Sequence, residues 1–348
     1  MLEPIKVLIV DDSALMRELL TTILSSDPQI TVVGSAGDPF AAREKIKTLN
    51  PDVLTLDIEM PRMDGLTFLE KLMRGHPMPV IMISSLTDKG AETTLRALSL
   101  GAVDYISKPK LDISDGTIMQ AEDIIAKVKT AAKAKIRVRT ALPAPPAESS
   151  PKAYNFSATH KVVAIGASTG GTEALKELLS SLPADFPGIV IVQHMPEAFT
   201  GPFSQRLDSL CRIRVQEASD GDRILQGHAL LAPGGHQMAV VRRGAEYAVR
   251  VYRGERVNRH IPSVDVLFNS CARQLGKNAL GVILTGMGAD GAQGMLEMKR
   301  AEAHTIAQDE STCVVFGMPK EAIRLGGVDQ VLPLGRINQA MLDVLNRA

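Results

Sequence analysis

Between Lys6 and Lys135 the chain repeats one pattern, a short and nearly unbroken run of Val, Ile and Leu followed by an amphipathic stretch. The runs are Val7 to Val10, Ile30 to Val33, Val53 to Leu56, Val80 to Ile83 and Val103 to Ile106. A strand covered on both faces reads this way, because neither of its sides has to alternate toward water. Between the first two runs, Ala14 to Leu24 carries Leu15, Leu19, Leu20 and Ile23 on one helical face. Five such repeats imply a parallel sheet with right-handed crossovers, an α/β domain over residues 1–139.

The pattern then breaks. Thr140 to Ser157 reads TALPAPPAESSPKAYNFS, rich in Pro, Ala and Ser and without apolar periodicity. Proline cannot propagate a helix and this composition builds no core, so 140–159 is expected to be a linker. From 160 to 348 strand-like runs return, at Lys161 to Gly166, Gly188 to Val192, His228 to Ala232, Met238 to Val241, Tyr247 to Val251 and Ala279 to Leu284. Val264 to Leu275 has a helix pattern. This half is expected to be a second, doubly wound and mostly parallel α/β domain with an antiparallel hairpin about Gly244.

The bulk numbers narrow the function. Lys plus Arg and Asp plus Glu are 39 each, so the electrostatic footprint of a nucleic-acid binder is missing. No apolar run is long enough to span a bilayer, and the N-terminal MLEPIKVLIVDDS has the form of a strand rather than a signal peptide. Cys211, Cys271 and Cys313 are odd in number and form no CxxC, which fits a reducing compartment and small hydrophobes. A cytoplasmic monomer without membrane insertion is expected.

In an open parallel sheet, ligands bind beyond the carboxyl ends of the strands. That rule gathers Asp11, Asp12, Asp57, Ser84 and Lys108 at one edge. Clustered carboxylates repel unless cations compensate, and an oxygen-donor set of this kind suits Mg²⁺. A carboxylate beside Mg²⁺ and Lys108 is placed to attack a phosphoryl group. The bland alternative for a single residue such as Asp12 is a helix N-cap. The segments VDDS, LTLDIEMPRMDGL, the Ser84-Ser85 pair and Ser107-Lys108-Pro109 resemble the receiver domain of bacterial two-component response regulators. The resemblance implies a flavodoxin-like (βα)5 fold with Asp57 as the phosphorylated residue. It also implies Mg²⁺ on Asp12, Asp57 and the backbone carbonyl of Glu59, with Asp11 as acidic partner. Ser84 and Lys108 would contact the phosphoryl group, Tyr105 would be the switch aromatic, and Pro109 stands at the family's cis-proline position.

In the second half, Gly166-Ala-Ser168-Thr-Gly170-Gly171 lies between a strand and an amphipathic helix. GxSxG in that setting puts a hydroxyl on a sharp turn at the sheet's carboxyl edge, beside the free amides of a helix N-terminus. Two other readings exist. A dinucleotide loop is one residue away, but Ser168 occupies the glycine that must approach the pyrophosphate, and the next strand ends in Gln193-His194 rather than an acid. A simple helix cap is the other. A serine nucleophile needs an imidazole and an orienting carboxylate. His194, at the end of the next strand, and Asp290, in LTGMGADG beyond an apolar strand, reach the same edge. The order Ser–His–Asp differs from that of α/β-hydrolases, so that superfamily is not implied.

The segments IGASTGG, VQHM, NRHIPSVDVLF, ILTGMGADGA and AQDEST resemble the catalytic domain of chemotaxis protein-glutamate methylesterases, from about Lys161 onward. With the receiver, the resemblance spans essentially the whole chain. It implies Ser168 as nucleophile, His194 as base and Asp290 as its orienter. The Met287 amide would donate to the oxyanion, and Thr169 and His260 would flank the pocket. Implied substrates are γ-glutamyl methyl esters and glutamines of methyl-accepting chemoreceptors, without a cofactor for the ester reaction. Phosphate would come from a chemotaxis histidine kinase. The linker's length would let an unphosphorylated receiver cover the hydrolase cleft. A phosphorylation-dependent binding protein with a silent hydrolase domain is the alternative. A transcriptional regulator fits least, since no helix-turn-helix follows the receiver.

Overall fold

The structure is a computed structural model that describes residues 3–85, 87–108, 115–136 and 161–346, with backbone alone at 88, 89 and 115–120. The expected linker at 140–159 and Pro109 lie outside these residues. The chain divides into two compact units, Met1–Thr140 and Ala141–Ala348.

The first unit runs β1 (Ile5–Val10), α1 (Ala14–Ser25), β2 (Ile30–Ala36), α2 (Pro39–Leu49), β3 (Val53–Asp57), α3 (Gly65–Gly75), β4 (Val80–Ser84), α4 (Asp88–Ser99), β5 (Asp104–Ser107) and α5 (Asp115–Ala131). Its sheet has the order β2-β1-β3-β4-β5, with every pair parallel. Val7 to Val10, Leu54, Leu56 and Val80 to Ile83 are fully buried, as their unbroken apolar runs require. Each such side chain contributes about 1.5–3 kcal/mol on burial. Short polar side chains start the helices: Ser13 accepts from the amide of Met16, Asp38 from Phe40 and Ala41, and Asp64 from Thr67. The cap of α1 is therefore Ser13, and Asp12 is spared that role. Leu15 departs from the expected buried face: it is 55% exposed, whereas Leu20 and Ile23 pack inward. Only Asp11, Asp12 and Ser13 separate α1 from β1, so the first turn of α1 stands at the rim of the sheet.

The second unit runs β6 (Val162–Ala167), α6 (Gly171–Ser180), β7 (Gly188–Gln193), α7 (Glu197–Leu210), β8 (Arg214–Glu217), β9 (His228–Leu231), β10 (Gln237–Arg243), β11 (Glu246–Tyr252) and α8 (Val264–Leu275). It continues with β12 (Ala279–Ile283), α9 (Ala292–Arg300), β13 (His304–Gln308), α10 (Met318–Arg324), β14 (Gln330–Leu332) and α11 (Leu334–Asn346). The main sheet, β14-β13-β12-β6-β7-β9-β8, is parallel throughout. The antiparallel pair is a separate two-stranded sheet, β10 with β11, turning at Gly244 where φ is 64°. It rests on α8, where the Ser270 hydroxyl accepts from the Val240 amide at 2.8 Å, and its Met238, Val240 and Val249 join the core. Three strands of the main sheet were not expected from the residues: β8, β13 and β14.

In both sheets the chain reverses direction beside the first strand of the unit, between β1 and β3 and between β6 and β12. Such switch points open a crevice at the carboxyl edge. Among the described residues, no helix is long and apolar enough to cross a membrane.

Candidate active site and phosphoacceptor site

The carboxyl edge of β1, β3 and β5 brings the first set of residues together. Asp57, ending β3, is 1% exposed, and the Lys108 ammonium lies 2.9 Å from its carboxylate. The amide of Ile58 donates to Asp57 Oδ1 at 2.8 Å. Gly65 is required here by close approach, because a Cβ would lie 2.0 Å from the Asp57 carbonyl oxygen. Asp11 and Asp12, following β1, complete a cluster whose ligand oxygens all lie within 4.8 Å of one another and of those of Asp57.

Burial, then the neighbouring Asp57, pushes the Asp11 carboxyl up to about 6. Burial also raises Asp57, against the pull of Lys108 and the amides of Ile58 and Glu59. Lys108 loses solvation, but the charges of Asp57, Asp11 and Asp12 outweigh that and hold its ammonium above the usual range. The Asp11 Oδ2 atom is buried without a hydrogen-bond partner. Three converging hard oxygen donors, one of them orphaned, fit Mg²⁺.

Ser84, at the end of β4, is buried; its hydroxyl accepts from Thr94 at 2.7 Å and points to the carbonyls of Ser85 and Gly90. Tyr105 is buried in β5, with Lys127 5.3 Å from its ring centre and donating to its carbonyl at 2.9 Å. Burial, helped by Asp104 and Asp123, raises its phenol well above 10.0. Glu59 is exposed just past Asp57.

The second set meets at the carboxyl ends of β6, β7 and β12. Gly170 begins α6 with φ of 78° and no side-chain cap, so Ser168 is not spent as a helix cap. The Ser168 amide donates to the Thr285 carbonyl at 3.0 Å, and its own carbonyl accepts from Gly171 at 2.7 Å. His194 follows β7, and its amide donates to Ala167 at 3.1 Å, which sets it beside Ser168 across the β6–β7 pair.

The ring of His194 is held from one side. Its Nε2 lies 2.8 Å from Asp290 Oδ2, and both side chains are nearly inaccessible. The other nitrogen, Nδ1, is buried and makes no hydrogen bond, so the serine–imidazole bond expected of a base is not formed in this state. Such bonds often tighten only when substrate binds.

Asp290 proves to be a cap after all, but of a helix other than its own. Its carboxylate accepts from the amides of Val264 at 2.7 Å and Asp265 at 3.2 Å, opening α8, and from the Ser263 hydroxyl and the Asn258 amide at 2.8 Å each. Burial opposes its charge, yet His194, Asn258 and Ser263 outweigh burial and hold the carboxyl far below 3.8. At neutral pH it is an anion facing an imidazole.

The flanking residues are also close. His260 stacks on His194, ring centres 3.7 Å apart and planes 9° from parallel. Thr169 is buried, and its carbonyl accepts from the Thr285 hydroxyl at 3.0 Å. Met287 is half-buried and follows Gly286, where an added Cβ would lie 2.8 Å from Ser168 Cβ. Sequence reasoning missed Gly286 and Gln193. The Gln193 amide donates to the carbonyls of Ser168 at 3.0 Å and His194 at 3.2 Å, tying the two segments together. Its place beside His194 was visible, but not that bridge. Cys271 and Cys313 are buried as expected; Cys211 is only partly so.

Comparison with known proteins adds an independent line. Residues 7–121 match the response regulator receiver domain and residues 163–341 match CheB methylesterase. A Geobacter metallireducens protein named protein-glutamate methylesterase/protein-glutamine glutaminase 1 is 60% identical over 346 residues, covering 96% of this chain and 94% of its own. A Pseudomonas aeruginosa protein of that name, numbered 2, is 58% identical over 340 residues, covering 97% and 96%. The crystal structure of the Thermotoga maritima CheB methylesterase catalytic domain superposes with a TM-score of 0.52 at 38% identity, over 53% of this chain and 98% of that one. The chain belongs to the CheB methylesterase family, the protein-glutamate methylesterases, and carries a response regulator receiver domain ahead of the enzyme.

Proposed function

We propose that this enzyme is a phosphorylation-activated serine hydrolase that removes methyl groups from glutamyl esters of methyl-accepting chemoreceptors and deamidates glutamines on them. The observation that carries the reading is the 2.8 Å contact of His194 with the ionised Asp290, at the sheet edge that also bears Ser168.

Ser168 Oγ attacks the side-chain carbonyl carbon, and the proton passes to His194 Nδ1, the nitrogen that Asp290 leaves open. Asp290 stays ionised and stabilises the imidazolium. The Met287 amide, beside the close approach of Gly286 to Ser168, donates to the oxyanion, and Thr169 and His260 line the pocket. Methanol, or ammonia from a glutamine, departs with the proton from His194. Water, deprotonated in turn by His194, then cleaves the acyl-enzyme and leaves a glutamate. No step draws on a cofactor.

In the receiver, Asp57 is the phosphoacceptor, supplied by a chemotaxis histidine kinase. Asp12, Asp57 and the Glu59 carbonyl, with Asp11 beside them, would hold Mg²⁺, which would neutralise phosphoryl oxygens when bound. Lys108 pairs with the same oxygens, Ser84 turns its hydroxyl to them, and Tyr105 responds as the switch aromatic. The unmodified receiver, domain 1–139, restrains the esterase of 160–348 through the 140–159 linker, and phosphorylation relieves it as a population shift. The enzyme works as a cytoplasmic monomer.

The test is methanol release from methylated chemoreceptor. Ser168→Ala is expected to abolish it; activity within about tenfold of the wild type would overturn the assignment, since removing a triad nucleophile costs far more.

A further inference from the structure

Behind the carboxylate that holds His194 lies a second one, and a single side chain joins them. Asp265, the second residue of α8, is 7% exposed and accepts from the Gly294 amide of α9 at 2.6 Å. The Asn258 Nδ2 atom donates to Asp265 Oδ2 at 2.6 Å and to Asp290 Oδ1 at 2.8 Å. Both protons of one amide are thus committed to two buried anions.

The backbone that delivers this amide is strained. Val257 and His260 exchange hydrogen bonds of 3.0 and 2.9 Å, closing a two-residue turn with Asn258 and Arg259 at φ of 51° and 70°. Neither residue is glycine; asparagine adopts left-handed backbone readily, but at Arg259 it costs about 1–2 kcal/mol. Strain of this kind persists where surrounding contacts over-determine it. The turn ends in His260, whose ring lies on that of His194.

We propose that Asn258 is a positioning residue of the esterase: it latches the 257–260 turn onto two buried carboxylates, aiming Asp290 at His194 and keeping His260 stacked on that ring. The chemistry suits an amide and no other group of its size. Its NH₂ offers two protons without carrying a charge, and that donor capacity does not change with pH. Aspartate would add a third anion, and alanine would leave two carboxylates facing each other across a gap.

The titratable and charged groups around Asp290 are known by element. His194 comes from the end of β7, His260 and the exposed Arg259 from the turn, and Asp265 from α8. Burial and the neighbouring Asp290 raise Asp265, while the Gly294 amide and Asn258 pull it back. A negative charge added to or removed from this group changes the field at the His194 ring.

The inference rests on Ser168, His194 and Asp290 reacting as a triad, and its test separates the two claims. The full-length chain is assayed for kcat/KM of ester hydrolysis across pH, where the acid limb reports protonation of the base. Asn258→Asp is expected to move that limb to higher pH by at least about half a unit, and Asp265→Asn to move it to lower pH. In both variants KM stays within about threefold, because neither residue binds substrate. Limbs unmoved in both variants, with a change only in unfolding temperature, would reduce Asn258 to a structural role. If Asn258→Asp does not fold, Asp265→Asn alone decides by the sign of its shift. A fluorophosphonate reagent that labels Ser168 is followed over the same pH range. No labelling and no hydrolysis in the wild type overturns the triad and the latch together; labelling with unmoved limbs overturns the latch alone.

Discussion

Asp290 holds the imidazole of His194 at 2.8 Å while its carboxylate closes the amino end of α8, a helix that begins 26 residues earlier in the chain at Val264. One side chain therefore serves both the proposed triad and the fold. The helix amides lower the cost of a buried charge, and that charge keeps the imidazole oriented.

Asp290→Asn follows directly. Activity is expected to fall by about 10³–10⁴, as when the carboxylate of a serine triad becomes an amide. Stability is expected to fall by about 1–2 kcal/mol from the impaired cap. The sign of the pH dependence is fixed: the folded carboxyl lies below its unfolded value of 3.8, so its stabilisation is present above about pH 4 and fades as the pH falls below that. Urea denaturation of both proteins at pH 7 and pH 3 measures it, and a gap that does not shrink at pH 3 would contradict this account.

The acidic cluster of the receiver predicts the reverse. The Asp11 carboxyl is raised to about 6, so the folded state prefers its proton and ionisation costs stability. Asp11→Asn should be more stable than the wild type above about pH 6 by roughly 1 kcal/mol, with the gap closing as the pH falls toward 4. Mg²⁺ affinity should drop at least about tenfold in the same variant. Thermal unfolding with and without Mg²⁺ reads both effects.

Gly286→Ala would press a methyl group to 2.8 Å from Ser168 Cβ and 2.3 Å from Met318 Sδ. The thioether is the flexible end and can turn away; the serine has a fixed place on its turn. Ester hydrolysis should fall by about 10² or more, whereas stability should change by only about 1–3 kcal/mol. Activity retained within threefold would show that Ser168 tolerates displacement.

Removing residues 1–140 tests the control. If the unmodified receiver restrains the esterase, the remaining chain should release methanol faster than the unphosphorylated whole chain, and phosphorylation of the whole chain should close part of that difference. Equal rates would rule out restraint.

Much of this was legible because parallel strands ending at one edge gather whatever follows them. Val53 to Leu56 announces β3, and Asp57 must then stand at its carboxyl end. The same logic placed Ser168 and His194 side by side. It failed where strands carry little apolar signal. Arg214–Glu217 is four residues with only Val215 buried, and Gln330–Leu332 is three residues at an edge. His304–Gln308 is buried at four of its five positions, yet its polar ends disguise it. Leu15 misled in the opposite direction, since periodicity names a face without saying how far the sheet extends beneath it.

The order of the strongly apolar strands and the residues at their ends were thus set by local pattern, because a doubly covered strand must be apolar and a turn must be polar wherever the chain folds. Other features arose only in three dimensions. These include the pairing of β6 with β12, the capping of α8 by Asp290, the grip of Gln193 on two carbonyls and the bridge of Asn258 between two carboxylates. Each of these joins residues whose spacing along the chain carries no signature, and a buried charge finds its partners only once packing has shut out water.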